Sequence, residues 1–492
     1  MENIINLNKK NNKNLILLIN IIFCFFPISF ILGNFFININ IILFCILGIY
    51  ILRSKILTNK FNFTIKIIFL LFCVILFSTS LSFITSLYFE GYEYKHLSRL
   101  IKSVLFFRYF LLLLIIYFLN DYDVINYKYF FLVGTCSTLI ISLDVIYQYF
   151  FGFNIIGLKS HIHHNSSFFG NEFIAGGYIQ RFSLFSIFFL YFILNDKKYL
   201  KFILTTLAVV IIGIGILFSF NRMPLISYLF GLLIVFFFSN KLKIIVPAAL
   251  VCFVIFFNFA LSSDPMLKKI YHSFHGSVAS LFFKVDTIEV EREPDKKEEQ
   301  QICSDPTFQE QERLDCILLN QKKFSKFKIG KLSFLNEKTL HARLFLSSID
   351  TWSKNKIFGN GIKSFRIDCW EVLQGSEYNL LEEVDKFKKN RMCSNHPHNY
   401  YFEILTETGI VGLLVTLALA MLFIFFIVKN FKLFKGNNIE NLIFLAATIS
   451  LILEVFPIKT TGSIFSTNNA AYIILISSII LSYRKKLNTN HL

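Results

Sequence analysis

Twelve apolar runs divide this chain, each close to the length that a helix needs to cross a bilayer. They lie near 14–33, 35–52, 63–88, 100–119, 129–152, 176–194, 201–219, 224–239, 243–261, 408–428, 440–457 and 470–483. A crossing takes ~20 apolar residues. In lipid the backbone must satisfy its own hydrogen bonds, which leaves helices for runs of this kind. Hydrophobic residues make up 55% of the 492, and 62 are Phe. A soluble domain of this length could not cover so much apolar surface. The expected fold is an all-α polytopic membrane protein of about 12 transmembrane helices, with one long extracytoplasmic loop containing short helices. The first run follows Lys9, Lys10 and Lys13 and shows no small-residue cleavage site, so it reads as a membrane helix and not as a signal peptide.

The net charge of +17 does not point to nucleic acid. The basic residues are scattered in short loops and form no aromatic-interleaved stripe. They follow topology instead. One set of segments holds Lys9, Lys10, Lys13, Arg53, Lys55, Lys60, Lys128, Lys197, Lys198, Lys201, Lys241, Lys243, Lys429, Lys432, Lys435, Arg484, Lys485 and Lys486. The short loops on the other side hold Lys95, Arg99, Lys159, Arg222 and Lys459. That bias predicts both termini in the cytoplasm. It divides the chain into a bundle of about nine helices over 1–261, an outer loop subdomain over 262–398 and about three helices over 399–492.

Within the outer loop, DPMLKKIYHSFHGSVASLFFKV reads as an amphipathic helix on the membrane surface. EVEREPDKKEEQQ reads as a solvated charged insertion. NEKTLHARLFLSSIDTWSKN reads as a helix with Asn336 as N-cap and Glu337 in its first turn, and IFGNGIKSF as a glycine-punctuated turn. Cys24, Cys45, Cys73, Cys136 and Cys252 lie in spans as packing residues, whereas Cys303, Cys316, Cys369 and Cys393 lie in the loop. Four loop cysteines in an oxidising compartment allow three pairings. Cys303–Cys316 with Cys369–Cys393 is favoured, because each closes a short local loop.

Charges inside the spans are expensive and need partners. Arg108 and Asp144 stand mid-span, and mutual pairing is the economical expectation. Glu454 and Lys459 are expected to pair structurally. In HIHHNSSFFGNE, three histidines within four residues fit one metal ion poorly. Neither a metal site nor a cofactor is expected. Glu172 stands out in that loop as a carboxylate.

The segment NHPHNYYFEILTETGIVG, Asn395 to Gly412, sets His396, His398 and Asn399 where the polar loop meets a span. An imidazole there can be both ordered and wet. Gly409 and Gly412 are three apart, on one helical face that suits close helix packing. His398-Asn399, nine residues, Gly409, two residues and Gly412 resemble the signature of the O-antigen ligase and O-antigen polymerase family. The stretch from ARLFLSSIDTWSKNKIFGNGIKSF onward is similar to that family's conserved domain, so the likeness covers about 205–425. NRMPLI, around Arg222, is similar to the family's arginine-bearing turn, and AGGYIQR, around Arg181, to its glycine-bearing span.

The resemblance implies an O-antigen ligase-type glycosyltransferase of the bacterial inner membrane. Its donor would be an undecaprenyl-diphosphate-linked glycan. Its acceptor would be lipid A-core, or a growing glycan if the chain is a polymerase; a protein O-oligosaccharyltransferase is a close variant. Membrane lipids are the remaining partners. His398 becomes the candidate base, with Arg222 and Arg343 as diphosphate clamps. His396, Asn399, Arg181 and Glu172 become substrate-binding candidates. The scheme is metal-independent and inverts the anomeric carbon. A lipid-linked glycan transporter is the alternative of another class, but transporters are commonly built from internal repeats and this sequence shows none.

Overall fold

The apolar runs do fold as helices, and most of them end where charge or glycine interrupts the run. In a computed structural model of the chain, the residues described are 10–53, 56, 61–89, 94–161, 164–194, 197–240, 242–271, 283–289, 325–332, 340–374, 391–431, 434 and 439–489. The membrane helices are α1 (Lys10–Cys24), α2 (Phe26–Leu32), α3 (Asn34–Leu52), α4 (Phe63–Phe89), α5 (Tyr94–Asp121), α6 (Tyr127–Phe151), α7 (Ala175–Ile193), α8 (Lys198–Phe218), α9 (Arg222–Phe238) and α10 (Ile245–Ser263). After the loop region, α11 (Leu340–Ser353) and α12 (Phe365–Gln374) precede α13 (Tyr400–Lys429), α14 (Ile439–Glu454) and α15 (Thr467–Thr489). Eight helices among the described residues are long and apolar enough to cross a membrane, and α1 with α2 makes a bent ninth; α9, α14 and α15 contain shorter apolar segments. The protein is a multi-pass membrane protein.

Two compact units are present, one of residues 1–270 with 344–492 and one of residues 271–343. The second unit contains an antiparallel pair, β1 (Phe283–Glu289) with β2 (Ser325–Leu332), in which Val285 faces Ile329 and Glu289 faces Ser325. This corrects the expectation of helices alone. Phe283 to Val285, read from sequence as the end of an amphipathic helix, belong to a strand. The charged run at 290–301, the proposed cap at Asn336, and Cys303 and Cys316 all lie outside the described residues.

The core of the first unit is aromatic. Phe23, Phe26, Phe44, Phe130, Phe182 and Phe185 are buried, and Phe23 meets Phe44 and Phe130 at ring centroids of 5.6 and 5.2 Å. Lipid gives no hydrophobic push between helices, so tight van der Waals contact of this kind must hold them. Around that core α5 packs on α15, α6 on α7 and α8, α14 on α7, and α13 on α4.

Arg108 and Asp144 do not pair. Arg108 reaches Asn38 Oδ1 at 3.2 Å, the Leu105 carbonyl at 2.7 Å and the Tyr109 hydroxyl at 2.7 Å. Asp144 is fully buried and accepts from Ser167 Oγ at 2.5 Å and the Ile155 amide at 2.9 Å. Each charge found its own polar partners, and Asp144 fastens the loop that holds Ile155 and Ser167.

Candidate active site at the head of helix α13

Asn399 is the N-cap of α13. Its Oδ1 accepts from the Tyr401 and Phe402 amides at 3.0 and 3.3 Å, and its Nδ2 donates to the Pro457 carbonyl at 2.7 Å. Capping of this kind satisfies amides that a helix start leaves open. It also commits both ends of the side chain to structure. Immediately before the cap, His398 takes φ 57, a left-handed conformation that costs a non-glycine residue about 1–2 kcal/mol. Its carbonyl accepts from the Thr461 amide at 2.9 Å. Its ring lies against that of His396, centroids 4.2 Å apart.

Both imidazoles are half-buried. Burial lowers the pKa of His398, with the Thr461 backbone pulling weakly the other way. Burial, then the neighbouring His398, pushes His396 down to about 4. Both rings are therefore neutral near pH 7. His396 Nε2 is buried without a hydrogen-bond partner among the described residues.

Arg181 is engaged elsewhere. Its guanidinium grips both carboxylate oxygens of Glu454, at 3.1 and 2.5 Å, with Asn468 and Asn469 at 2.7 and 2.6 Å. Lys459 Nζ reaches the same carboxylate at 2.9 Å, which is the pairing expected from sequence, and the Tyr400 hydroxyl donates to it at 2.7 Å. Glu454 thus joins Arg181 to the first residue of α13. Four of the five guanidinium hydrogens of Arg181 are taken, which leaves little of the fork for a phosphate.

Arg222 opens α9 and is half-buried. Its turn is held against the start of α7: Asn221 Oδ1 accepts from the Gly176 amide at 3.0 Å, and Asn221 Nδ2 donates to the Phe173 carbonyl at 3.2 Å. A Cβ on Gly176 would strike Ser219 and Asn221, so the glycine-bearing span and the arginine-bearing turn are fitted to each other. Phe220, two residues ahead of Arg222, has φ 59. Arg343 lies on α11 and belongs to the second unit. Glu172 is exposed. In the same loop, His161 and His164 bond to each other through their backbones and flank Phe173, the His164 ring stacked on it at 4.5 Å. No cluster of metal-ligating side chains occurs among the described residues.

The two glycines of the histidine segment do not line a helix–helix seam. Gly409 has φ 67 and ψ −166, a break inside α13. There the turn Lys356 to Lys363 replaces the missing helical bonds. Asn360 and Gly361 amides donate to the Thr406 and Glu407 carbonyls at 3.0 and 2.9 Å, while the Ile410 and Val411 amides donate to Lys356 and Ile357 carbonyls at 3.0 and 3.2 Å. A Cβ on Gly409 would collide with Ile357, and one on Gly359 with Gly409. Broken backbone at membrane depth survives only when protein supplies its partners in this way.

Sequence reading missed four charged residues beside this break. Glu403 accepts from Ser463 Oγ at 2.5 Å and the Ile464 amide at 2.7 Å, and Glu407 from the Lys363 amide at 2.5 Å. Their four-residue spacing just ahead of the apolar run at 408–428 was the available signal. Lys363 has φ 58. Burial, then the charges of Arg366 and Lys102, lowers its pKa, and Arg366 also acts on His396.

Residues 207–417 match the family described as O-Antigen ligase. This 207–417 region is similar to the O-antigen ligase family. The matched region begins in α8 and ends in α13, so it carries Arg222, Arg343, His396, His398, Asn399 and the Gly409 break. No match was found among curated proteins. The type of activity to which this likeness points is membrane glycan transfer, of the ligase or polymerase kind.

Proposed function

We propose that the protein transfers a glycan from undecaprenyl diphosphate to a hydroxyl of lipid A-core, on the periplasmic face of the bacterial inner membrane. The observation that carries this reading is His398. It lies in the matched region, in a strained turn at the head of a capped helix, with a neutral ring. Backbone strain of this kind concentrates at functional sites, and a neutral imidazole is the form that takes a proton.

In this scheme the acceptor oxygen attacks the anomeric carbon as His398 removes its proton. The bond from that carbon to the diphosphate breaks, and configuration inverts. Arg222 and Arg343 hold the departing diphosphate, whose charge a guanidinium fork matches in two-pronged fashion. Fixed charge at a membrane surface stabilises such an anion more than water would. Arg181 becomes a structural member of the site, since Glu454 occupies it. The Cys369–Cys393 disulfide suits an oxidising, extracytoplasmic compartment, as does the distribution of Lys and Arg.

Transfer is measured in liposomes holding an undecaprenyl-diphosphate-linked glycan and lipid A-core, with donor binding measured separately. His398→Ala is expected to lower turnover roughly 10²–10⁴-fold with donor binding retained. Arg222→Ala or Arg343→Ala should weaken donor binding as well, and Lys at either position should restore only part. Full activity in His398→Ala would sink the scheme. So would loss of activity on chelation that added metal restores. Growth of the glycan on the donor lipid, with none reaching lipid A-core, would identify a polymerase instead.

A further inference from the structure

The histidine turn is fastened on both sides, and one set of fasteners lies outside the family signature. Downstream, Asn399 holds the Pro457 carbonyl and Thr461 holds the His398 carbonyl. Upstream, Cys393 is joined to Cys369 of α12, with Cα atoms 5.8 Å apart. That bridge is buried with Phe365 and packed against by Leu373. Two residues earlier, Arg391 Nε donates to Asp350 of α11 at 2.6 Å, with both side chains almost wholly buried (3% and 2% exposed). Between them the Met392 amide donates to Ser347 Oγ at 3.0 Å. From Cys393 to His398 there are only five peptide bonds, and Pro397 stiffens one of the residues between.

We propose that the Cys369–Cys393 disulfide and the Arg391–Asp350 pair are positioning groups for His398. Together with the Thr461 anchor they stretch the 394–398 segment between fixed ends and hold His398 in its left-handed conformation. An unfavourable φ persists only where its surroundings over-determine it. With the upstream clasp gone, the segment keeps one anchor. His398 then relaxes toward ordinary backbone angles and its ring leaves the reacting position. The disulfide includes no residue assigned to the donor, so its loss acts on turnover, whereas Asp350 shares α11 with Arg343. This inference rests on the reading of His398 as the base.

The test compares wild type with the pair Cys369→Ser/Cys393→Ser, and with Arg391→Gln/Asp350→Asn, which removes the ion pair without leaving a lone buried charge. Hydrogen exchange of residues 394–399 is followed in detergent, beside transfer kinetics and donor binding. Faster exchange confined to this segment is expected in both pairs, with turnover lowered roughly 10–100-fold, the usual cost of a misplaced catalytic group, and donor affinity unchanged in the serine pair. On a His398→Ala background the same changes should cause no further loss, whereas a merely structural role would add its own. Unchanged exchange in both pairs, or losses that multiply with His398→Ala, would overturn the proposal. If wild type transfers no glycan, the reading of function falls, while the exchange arm still decides whether the clasp holds the turn. Should the serine pair fail to insert, the Gln/Asn pair makes the same comparison.

Discussion

Glu454 carries two cations, and that imbalance decides what each substitution does. Removing one partner of a buried ion pair costs roughly 3–5 kcal/mol when the other is left uncompensated. Glu454→Gln strands both Arg181 and Lys459, so it should lower the thermal midpoint in detergent most. Arg181→Gln leaves Lys459 on the carboxylate at 2.9 Å and should cost less. The reverse order in a melting experiment would show that Arg181 is not primarily structural. The histidines make a second prediction at this scale. Because burial depresses His398, the neutral ring that the proposed base needs is already present at pH 7. Transfer should be flat from about pH 7 to 8 and fall on an acid limb below the ordinary imidazole value of ~6.5. Stability follows the same sign. The unfolded chain binds protons that folded His396 refuses, so stability should decline as pH drops from ~6.5 toward about 4, the folded value of His396. An acid limb centred above pH 7 would contradict both. Residue types alone exposed the histidine pair and the Glu454–Lys459 pair, since these partners lie close in sequence. They could not show that Arg181, 273 residues away, had claimed Glu454 first.

At the scale of elements, α13 is two helical stretches that meet at Gly409, where the apolar run begins. The sequence shows no boundary there, because a glycine pair three residues apart serves a packing seam and a break equally well. What settles it is the turn 356–363, which reaches the break from a distant part of the chain. Gly409→Ala and Gly359→Ala each place a Cβ against backbone that cannot move aside, and Gly409 and Gly359 both have positive φ. Each should sharply reduce the yield of folded protein on size-exclusion chromatography, while Gly177→Ala, with open space around it, should not. The strand pair is the other element that sequence reading passed over. Phe327 and Ile329 alternate with Lys326 and Lys328, an ordinary strand signal, but it stands among charged residues in a loop read for helices.

For the molecule as a whole, the helical bundle was legible because lipid allows so few alternatives, and the alternation of Lys and Arg predicts an orientation. Reporter fusions should place Glu310 outside and the C-terminus inside. A cytoplasmic Glu310 would overturn the proposed reaction scheme too, since that scheme uses the donor on the outer face. Mass spectrometry of non-reduced peptides should recover Cys369–Cys393, and Cys303–Cys316 beside it. Four free thiols in protein prepared without reductant would refute both bridges.

The break at Gly409 has one more consequence. Ahead of it, Glu403, Ile404, Thr406, Glu407 and Thr408 are buried, whereas between Ile410 and Lys429 only Gly412 and Phe426 are. The first stretch is solvated by protein and the second by acyl chains. Tolerance to substitution should therefore change as a step across the break in α13. In a saturation library selected for function, positions 400–409 should accept almost nothing. Leu414, Leu417, Met421, Ile424 and Phe425, which face outward, should exchange freely among apolar residues.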